Sequence, residues 1–226
     1  MAADSARVPL LNPLRNADGV EVDPAANAAL PTTSLQRRKY KTIITTTLAL
    51  LRERGFDQLK MQDVSSASGI ALATIYRYFG SRDCLIYEAT YSWGIEIWLA
   101  IAESNSFIGP AARLVGITGP FLEEYRKEPQ LANAWARANL SADPEVARRV
   151  KIRRPEMMRI MASIVGDADQ DLVSDLFLII EQVTATSWAR WMLNQQSYED
   201  IARNAQRASL LVLAAHGVIE LPGREG

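Results

Sequence analysis

An all-α fold is what this sequence predicts, on three observations. No stretch alternates apolar and polar residues for long enough to make a strand. Pro110, Pro129 and Pro144 each stand where a first helical residue can sit, and apolar residues recur at helical spacing between them. The run Met61–Arg82, MQDVSSASGIALATIYRYFGSR, reads as two short helices meeting at a glycine turn. Nine helices are expected, a group of three followed by a group of six, without internal repeats.

Residues 1–34 carry Pro9, Pro13, Pro24 and Pro31 and show no helical period. Such a segment buries too little apolar surface to offset its ordering entropy, so a disordered arm is expected there. A DNA-contacting arm is the alternative, but two Lys/Arg against four Asp/Glu argue against it. The first helix is expected to start at Ser34 or Leu35 with Ser34 as its N-cap. Ile43, Ile44, Thr47, Leu48 and Leu51 form its apolar stripe, and Gly55 closes it. Arg37, Arg38, Lys39 and Lys41 crowd its first turns, where cations oppose the helix dipole and call for an anion. A solvated charge run is the plainer reading; phosphate contact is preferred because a helix-turn-helix follows.

The second helix presents Met61, Val64 and Ala67, and Gly69 suits the left-handed residue that ends a helix. Ile70 re-enters the core, and the third helix runs Leu72–Phe79. Ile75 and Phe79 face inward, which leaves Thr74, Arg77 and Tyr78 pointing outward. A hydroxyl, a guanidinium and a phenol on one exposed face suit the edge of a polyanion, and Leu72–Phe79 is then the recognition helix. Charge supports this placement. Residues 35–90 hold nine Lys/Arg against five Asp/Glu, in a chain of 226 residues whose net charge is −1. Only the segment with the helix-turn-helix is basic, the footprint that nucleic-acid binding needs.

The run Val64…Ala67-Ser68-Gly69-Ile70…Thr74-Ile75-Tyr76-Arg77-Tyr78-Phe79-Gly80-Ser81-Arg82 resembles the signature of the TetR family of bacterial transcription regulators. The motif spans about Gln36–Tyr91; the remaining chain agrees in helix number and order. The resemblance implies a homodimeric repressor that binds a double-stranded DNA operator with an inverted repeat and leaves it when a small-molecule effector binds. Residues 35–81 would be the DNA-binding domain and 82–220 the effector-binding and dimerisation domain, with 82–104 the connecting helix. The expected DNA face comprises Arg37, Arg38, Lys39, Lys60, Gln62, Leu72, Ala73, Thr74, Tyr76, Arg77, Tyr78 and Arg82. Thr74 and Arg77 would reach base edges, and Lys60, Tyr76, Tyr78 and Arg82 would hold phosphates. The chain departs from the family at Lys60, where Thr or Ser is common, and at Leu72 and Ala73, where polar residues or Gly are common.

The fourth helix opens with Ser81 as cap and runs to about Ser104, roughly 35 Å at 1.5 Å per residue, long enough to join two domains. Helices are then expected near 110–127, 129–141, 144–165, 169–195 and 197–217. Gly116, Gly119 and Pro120 interrupt the first of these, and an internal proline costs about 3 kcal/mol, so a kink at a pocket is expected. Tyr87, Tyr91, Trp98, Phe121, Tyr125, Trp135 and Trp188 are expected to line an effector cavity; ordinary core is the competing reading. Leu176, Ile180, Trp188, Trp191, Ala205, Ala208, Leu211 and Val212 are expected in a four-helix dimer interface, against an intrachain core. Arg148, Arg149, Lys151, Arg153 and Arg154 form either a solvated face or an anion site, for instance for a coenzyme A thioester. The methionine-bearing second helix and Leu140–Val150 are similar to the actinobacterial sterol-catabolism repressors within the family.

Other classes fit poorly. Cys84 is the single cysteine, so no disulfide framework or thiolate cage forms within one chain. No G-x-S-x-G or phosphate loop occurs, and His216, the lone histidine, sits at a helix end, so no enzyme, cofactor or metal is expected. Asp167, Asp169, Asp171 and Asp175 are read as charge at a helix N-terminus. No continuous apolar leader or run of eighteen uncharged apolar residues occurs, and a cytoplasmic protein without membrane contact is expected. A DNA-binding dimer without an effector remains the alternative.

Overall fold

The computed structural model describes residues 30–104, 110–165 and 170–219, and among these it has nine helices and no strand. Most of the expected arm, with Asp167, Asp169 and Glu220, lies outside the described residues. Helix α1 spans Ser34–Gln58, α2 Met61–Ser68, α3 Leu72–Phe79, α4 Arg82–Ser104 and α5 Pro110–Lys127. Then follow α6 Pro129–Asn139, α7 Pro144–Val165, α8 Gln170–Met192 and α9 Tyr198–Ala215. No helix among the described residues is long and apolar enough to cross a membrane.

The N-cap of α1 is Thr33 rather than Ser34. Its hydroxyl accepts from the amide of Gln36 at 3.2 Å, and the Gln36 side chain accepts from the Thr33 amide at 3.1 Å. This capping box fills two orphan donors at once, which Ser34 one residue later could not do. Gly55 takes φ 74° and breaks the regular helix just before its last residues. A Cβ there would meet Gln130 Oε1 at 2.7 Å, so conformation and space both favour glycine. Lys60 caps α2 without any side-chain bond. Met61 and Val64 are buried, whereas Ala67 is exposed. At 3.6 residues per turn Ala67 sits about 120° round the helix from Met61, off the buried face. The turn is held instead by hydroxyls: Ser65 Oγ donates to Ile70 O at 2.8 Å, and Ser68 Oγ accepts from Ile70 N at 3.3 Å.

Helix α5 continues through Gly116, Gly119 and Pro120, so these residues do not divide it. Helix α8 ends at Met192, three residues short of expectation, and Gln196 Nε2 donates back to Ser187 O at 2.9 Å. Ser197 and Asp200 form a second capping box at the start of α9.

The three-helix unit and the larger bundle share one core. Tyr40, Ile43, Leu51, Val64, Ile75 and Phe79 of the first continue into Leu85, Ile86, Leu131 and Ala132 of the second. Ala132, Ala134, Ala136 and Ala138 are all buried, and their small side chains let α1 and α4 approach α6 closely. Two forked ion pairs brace the same junction. Arg137 holds Asp57 at 2.7 and 2.8 Å, and Arg52 Nε holds Glu128 at 3.0 and 3.2 Å. Helices α8 and α9 pack along each other, with Leu172, Leu176, Trp188, Ile201, Ala205 and Leu213 buried.

Candidate nucleic-acid interface and ligand cavity

Helix α3 has a buried face and an exposed one. Ile75, Tyr78 and Phe79 are buried; Ala73, Tyr76 and Arg77 are exposed, and Leu72 and Thr74 are half-buried. Tyr78 therefore does not point outward. It lies three residues from Ile75, on the same side of the helix, and its ring meets Tyr40 edge-on at 5.7 Å. Its hydroxyl is buried without a hydrogen-bond partner, so it is a core residue rather than a phosphate contact. Arg38, Lys39, Lys60 and Gln62 are exposed beside α3 in the same domain, while Arg37 is half-buried and donates to Thr32 O at 2.7 Å.

Arg82 also departs from expectation. Its Nε donates to Leu59 O at 2.8 Å and its Nη2 donates to Phe56 O, while Nη1 pairs with Asp83 at 3.0 Å. The guanidinium lies over the Phe56 ring, 4.5 Å from its centroid. These carbonyls follow Gly55, where the helical ladder is broken, and the side chain satisfies acceptors that the ladder leaves open. Arg82 thus closes the α1–α2 junction instead of reaching into solvent. Ser81 caps α4 as expected, accepting from Cys84 N at 3.1 Å.

A cavity of about 290 Å³ lies within the larger bundle. Tyr87, Tyr91, Trp98, Phe121 and Trp135 line it, as the sequence led us to expect. Tyr125 and Trp188 do not. Each is 1% exposed and belongs to a packed aromatic cluster behind the wall, with Tyr125 centred 4.4 Å from Trp93 and from Phe121 and 5.6 Å from Trp188. Gly94 makes room for this ring, since a Cβ there would meet the Tyr125 hydroxyl at 2.8 Å. The remaining wall comes largely from α7 and α8: Val150, Arg153, Arg154, Met157, Phe177, Ile180, Glu181 and Thr184. Phe177, Ile180 and Thr184 fall at helical spacing, a signal present in the sequence, although Ile180 is expected there at the dimer interface. Burial pushes the Glu181 carboxyl above its usual range, with Arg154 opposing.

The basic cluster is not one solvated face but divides between core and surface. Arg149 is 0% exposed and Arg153 7%. Both face the buried carboxylate of Glu88, which accepts from Arg153 Nε at 3.0 Å and Nη2 at 2.6 Å. Burial opposes the charge on Glu88, but the two guanidinium groups and the hydrogen bonds of Arg153 and Tyr40 hold its pKa down to about 2. Lys151 and Arg154 are exposed, and Arg148 pairs with Glu145 at 2.6 Å.

Most residues expected at a dimer interface are internal. Leu176, Ile180, Trp188, Ala205 and Ala208 are buried within the chain; Trp191 and Val212 are half-buried. The reason is that α8 and α9 bury their small-residue face against each other and the bundle. Of the expected residues Leu211 is exposed, and Leu178 and Ile179 on α8 are exposed as well, with Val218 just beyond α9. His216 Nε2 lies 2.9 Å from Asp175 Oδ2 and ties the end of α9 to α8.

The profile of "Bacterial regulatory proteins, tetR family" matches residues 43–89, and that of "Tetracyclin repressor-like, C-terminal domain" matches residues 109–212. The HTH-type transcriptional repressor KstR of Rhodococcus jostii (strain RHA1) is 25% identical over 180 residues, which is 79% of this chain and 84% of that protein. The crystal structure of a TetR transcriptional regulator from Rhodococcus sp. RHA1 superposes with a TM-score of 0.69 at 18% identity, over 80% of this chain and 98% of that one. Thermus thermophilus FadR, a transcriptional repressor crystallised in complex with lauroyl-CoA, superposes at 0.59 with 17% identity, over 83% and 100% of the two chains.

Proposed function

The chain belongs to the TetR family of bacterial transcription regulators, and we propose that it is a homodimeric repressor that leaves an inverted-repeat operator when a small apolar effector fills the bundle cavity. The observation that carries this reading is the position of the cavity. Two of its walls are helices α4 and α7, which also pack against the three-helix unit that presents α3. A ligand that changes their packing has a short mechanical route to the recognition helix.

Thr74 and Arg77 on α3 would read base edges, while Arg38, Lys39, Lys60 and Tyr76 hold phosphates and Gln62, Leu72 and Ala73 complete the contact surface. Two such helices must meet major-groove faces about 34–36 Å apart, which requires two chains. Leu178, Ile179 and Leu211, exposed on α8 and α9, offer apolar surface for pairing. An effector with an apolar body suits the aromatic wall, and the arginines at the cavity suit an anionic end. Fatty acyl and steroid coenzyme A thioesters have that form, and FadR, which shares the fold, binds lauroyl-CoA.

The test is direct. Operator sequences are selected from a random double-stranded library with the full chain, and binding is measured by gel shift with and without each thioester. Release of a selected palindromic site by a thioester supports the reading. Selection of no sequence, or release by none of the thioesters, overturns the corresponding half.

A further inference from the structure

One chain of buried polar contacts joins the cavity to the recognition helix. Arg153 lines the cavity and chelates Glu88 with two donors, at 3.0 and 2.6 Å. Its Nη1 donates to Glu156 at 2.8 Å, and the hydroxyl of Tyr91, another wall residue, donates to the same oxygen at 3.3 Å. Glu88 is 1% exposed and accepts from the Tyr40 hydroxyl on α1. On its other side, Arg149 Nε lies 3.5 Å away, an ion-pair contact without hydrogen-bond geometry. Arg149 Nη2 donates at 2.7 Å to the carbonyl of Tyr78, in the last turn of α3.

Arg149 is fully buried, yet its Nε and Nη1 have no hydrogen-bond partner. Buried donors left open carry a substantial cost, and the nearest carboxylate is already held by a second guanidinium. Glu88 thus has a second guanidinium, that of Arg149, at 3.5 Å beside the one that chelates it. Two discrete arrangements of one buried group are what a switch requires.

We infer that Glu88 transmits cavity occupancy to α3 by changing partners: an anionic oxygen of the ligand, a thioester's phosphate or a free acid's carboxylate, takes the donors of Arg153, Glu88 turns to chelate Arg149 through Nε and Nη2, and Nη2 is drawn from the carbonyl of Tyr78. The inference rests on the cavity being an effector site. It adds a chemical requirement, an anionic oxygen at the inner end of an apolar body. Arg154 does not serve the same purpose, because it is exposed, its guanidinium lies over Phe177 at 5.6 Å, and an anion there would not compete for Glu88. Arg153 is the ligand-binding residue; Glu88 and Arg149 are positioning residues for the DNA-reading helix.

The experiment uses the full chain with dodecanoate and its neutral counterpart dodecan-1-ol. Binding is read from tryptophan fluorescence, since Trp98 and Trp135 line the cavity, and the response from amide hydrogen exchange over residues 72–80. Both probes are expected to change the fluorescence, and only dodecanoate to speed exchange at 72–80, by at least tenfold. Glu88→Gln is expected to bind dodecanoate more tightly, because the competing charge is gone, and to show no exchange response. Arg149→Met is expected to exchange fast at 72–80 without ligand. If Glu88→Gln does not fold, the paired variant Glu88→Gln, Arg153→Gln removes both charges; it should bind the two probes alike and answer neither. A purely structural role for Glu88 would leave Glu88→Gln still answering dodecanoate at 72–80 relative to its own ligand-free rate, and that outcome overturns the inference. Binding of dodecanoate with unchanged exchange also overturns it while leaving the cavity reading intact. Binding of neither probe overturns the inference, whereas the cavity reading falls separately if no thioester releases the operator.

Discussion

Glu88 is a carboxylate in a core, surrounded by two arginines and a tyrosine on two other helices. Removing one member of a buried ion pair leaves charge uncompensated and costs about 3–5 kcal/mol, so Glu88→Gln should lower the urea midpoint clearly at pH 7. The sign of the pH effect follows from the depressed pKa. A carboxyl held at about 2, against an ordinary 4.5, contributes stability that is present in full above pH 4.5 and is lost as pH falls toward 2. Wild type and Glu88→Gln should therefore converge between pH 4.5 and 2, as urea titrations at several pH values would measure. Cys84 offers a second check at this scale. Burial pushes its thiol up to about 11, with Arg149 opposing, so the native chain should resist alkylation at neutral pH. Rapid labelling before unfolding would contradict its buried position.

Helices α8 and α9 carry two apolar stripes, and which one faces inward separates two kinds of variant. Leu211 is 52% exposed, whereas Trp188 is 1% exposed and packs on Tyr125 and Trp191. Leu211→Glu should keep the helical circular-dichroism signal and produce monomer by light scattering. Trp188→Glu should unfold the bundle, because it buries an unpaired charge. Dimeric Leu211→Glu would remove this stripe from the interface. At the end of α3, Gly80 has φ 72° and its missing Cβ would meet Glu145 at 2.9 Å. Gly80→Ala should cost about 1–3 kcal/mol by thermal melting, as backbone strain of this kind does.

The whole molecule is nearly neutral, so salt-dependent DNA binding must come from one basic segment. Each phosphate contact adds about one to the slope of log K against log salt. Lys60→Ala should flatten the slope by about one per subunit, or about two per dimer, without altering the preferred sequence. Arg82→Ala should instead lower stability and leave the slope unchanged, because its donors serve Phe56, Leu59 and Asp83. On the proposed reading, effector and operator oppose each other equally. A thioester that weakens operator binding 100-fold, about 2.7 kcal/mol of coupling, should itself bind 100-fold more weakly in the presence of operator.

By itself, the sequence determined the order of nine helices, the glycine turn at Gly69, the basic character of residues 35–90 and five of the aromatic cavity walls. These follow from local rules: period, capping, and where proline and glycine are tolerated. Only the tertiary structure decided that Tyr78 is core, that Arg82 closes a junction, and that Trp188 and Tyr125 stand behind the cavity wall. It also decided that Arg149 and Arg153 are buried on Glu88, about sixty residues away in the chain. Periodicity identifies the face a side chain occupies, but a broad apolar arc such as that of α8 touches several neighbours at once. A charge run likewise says nothing of a carboxylate on another helix. Partners distant in sequence settle such positions, because burial and pairing are properties of the packed assembly and not of the segment that carries the residue.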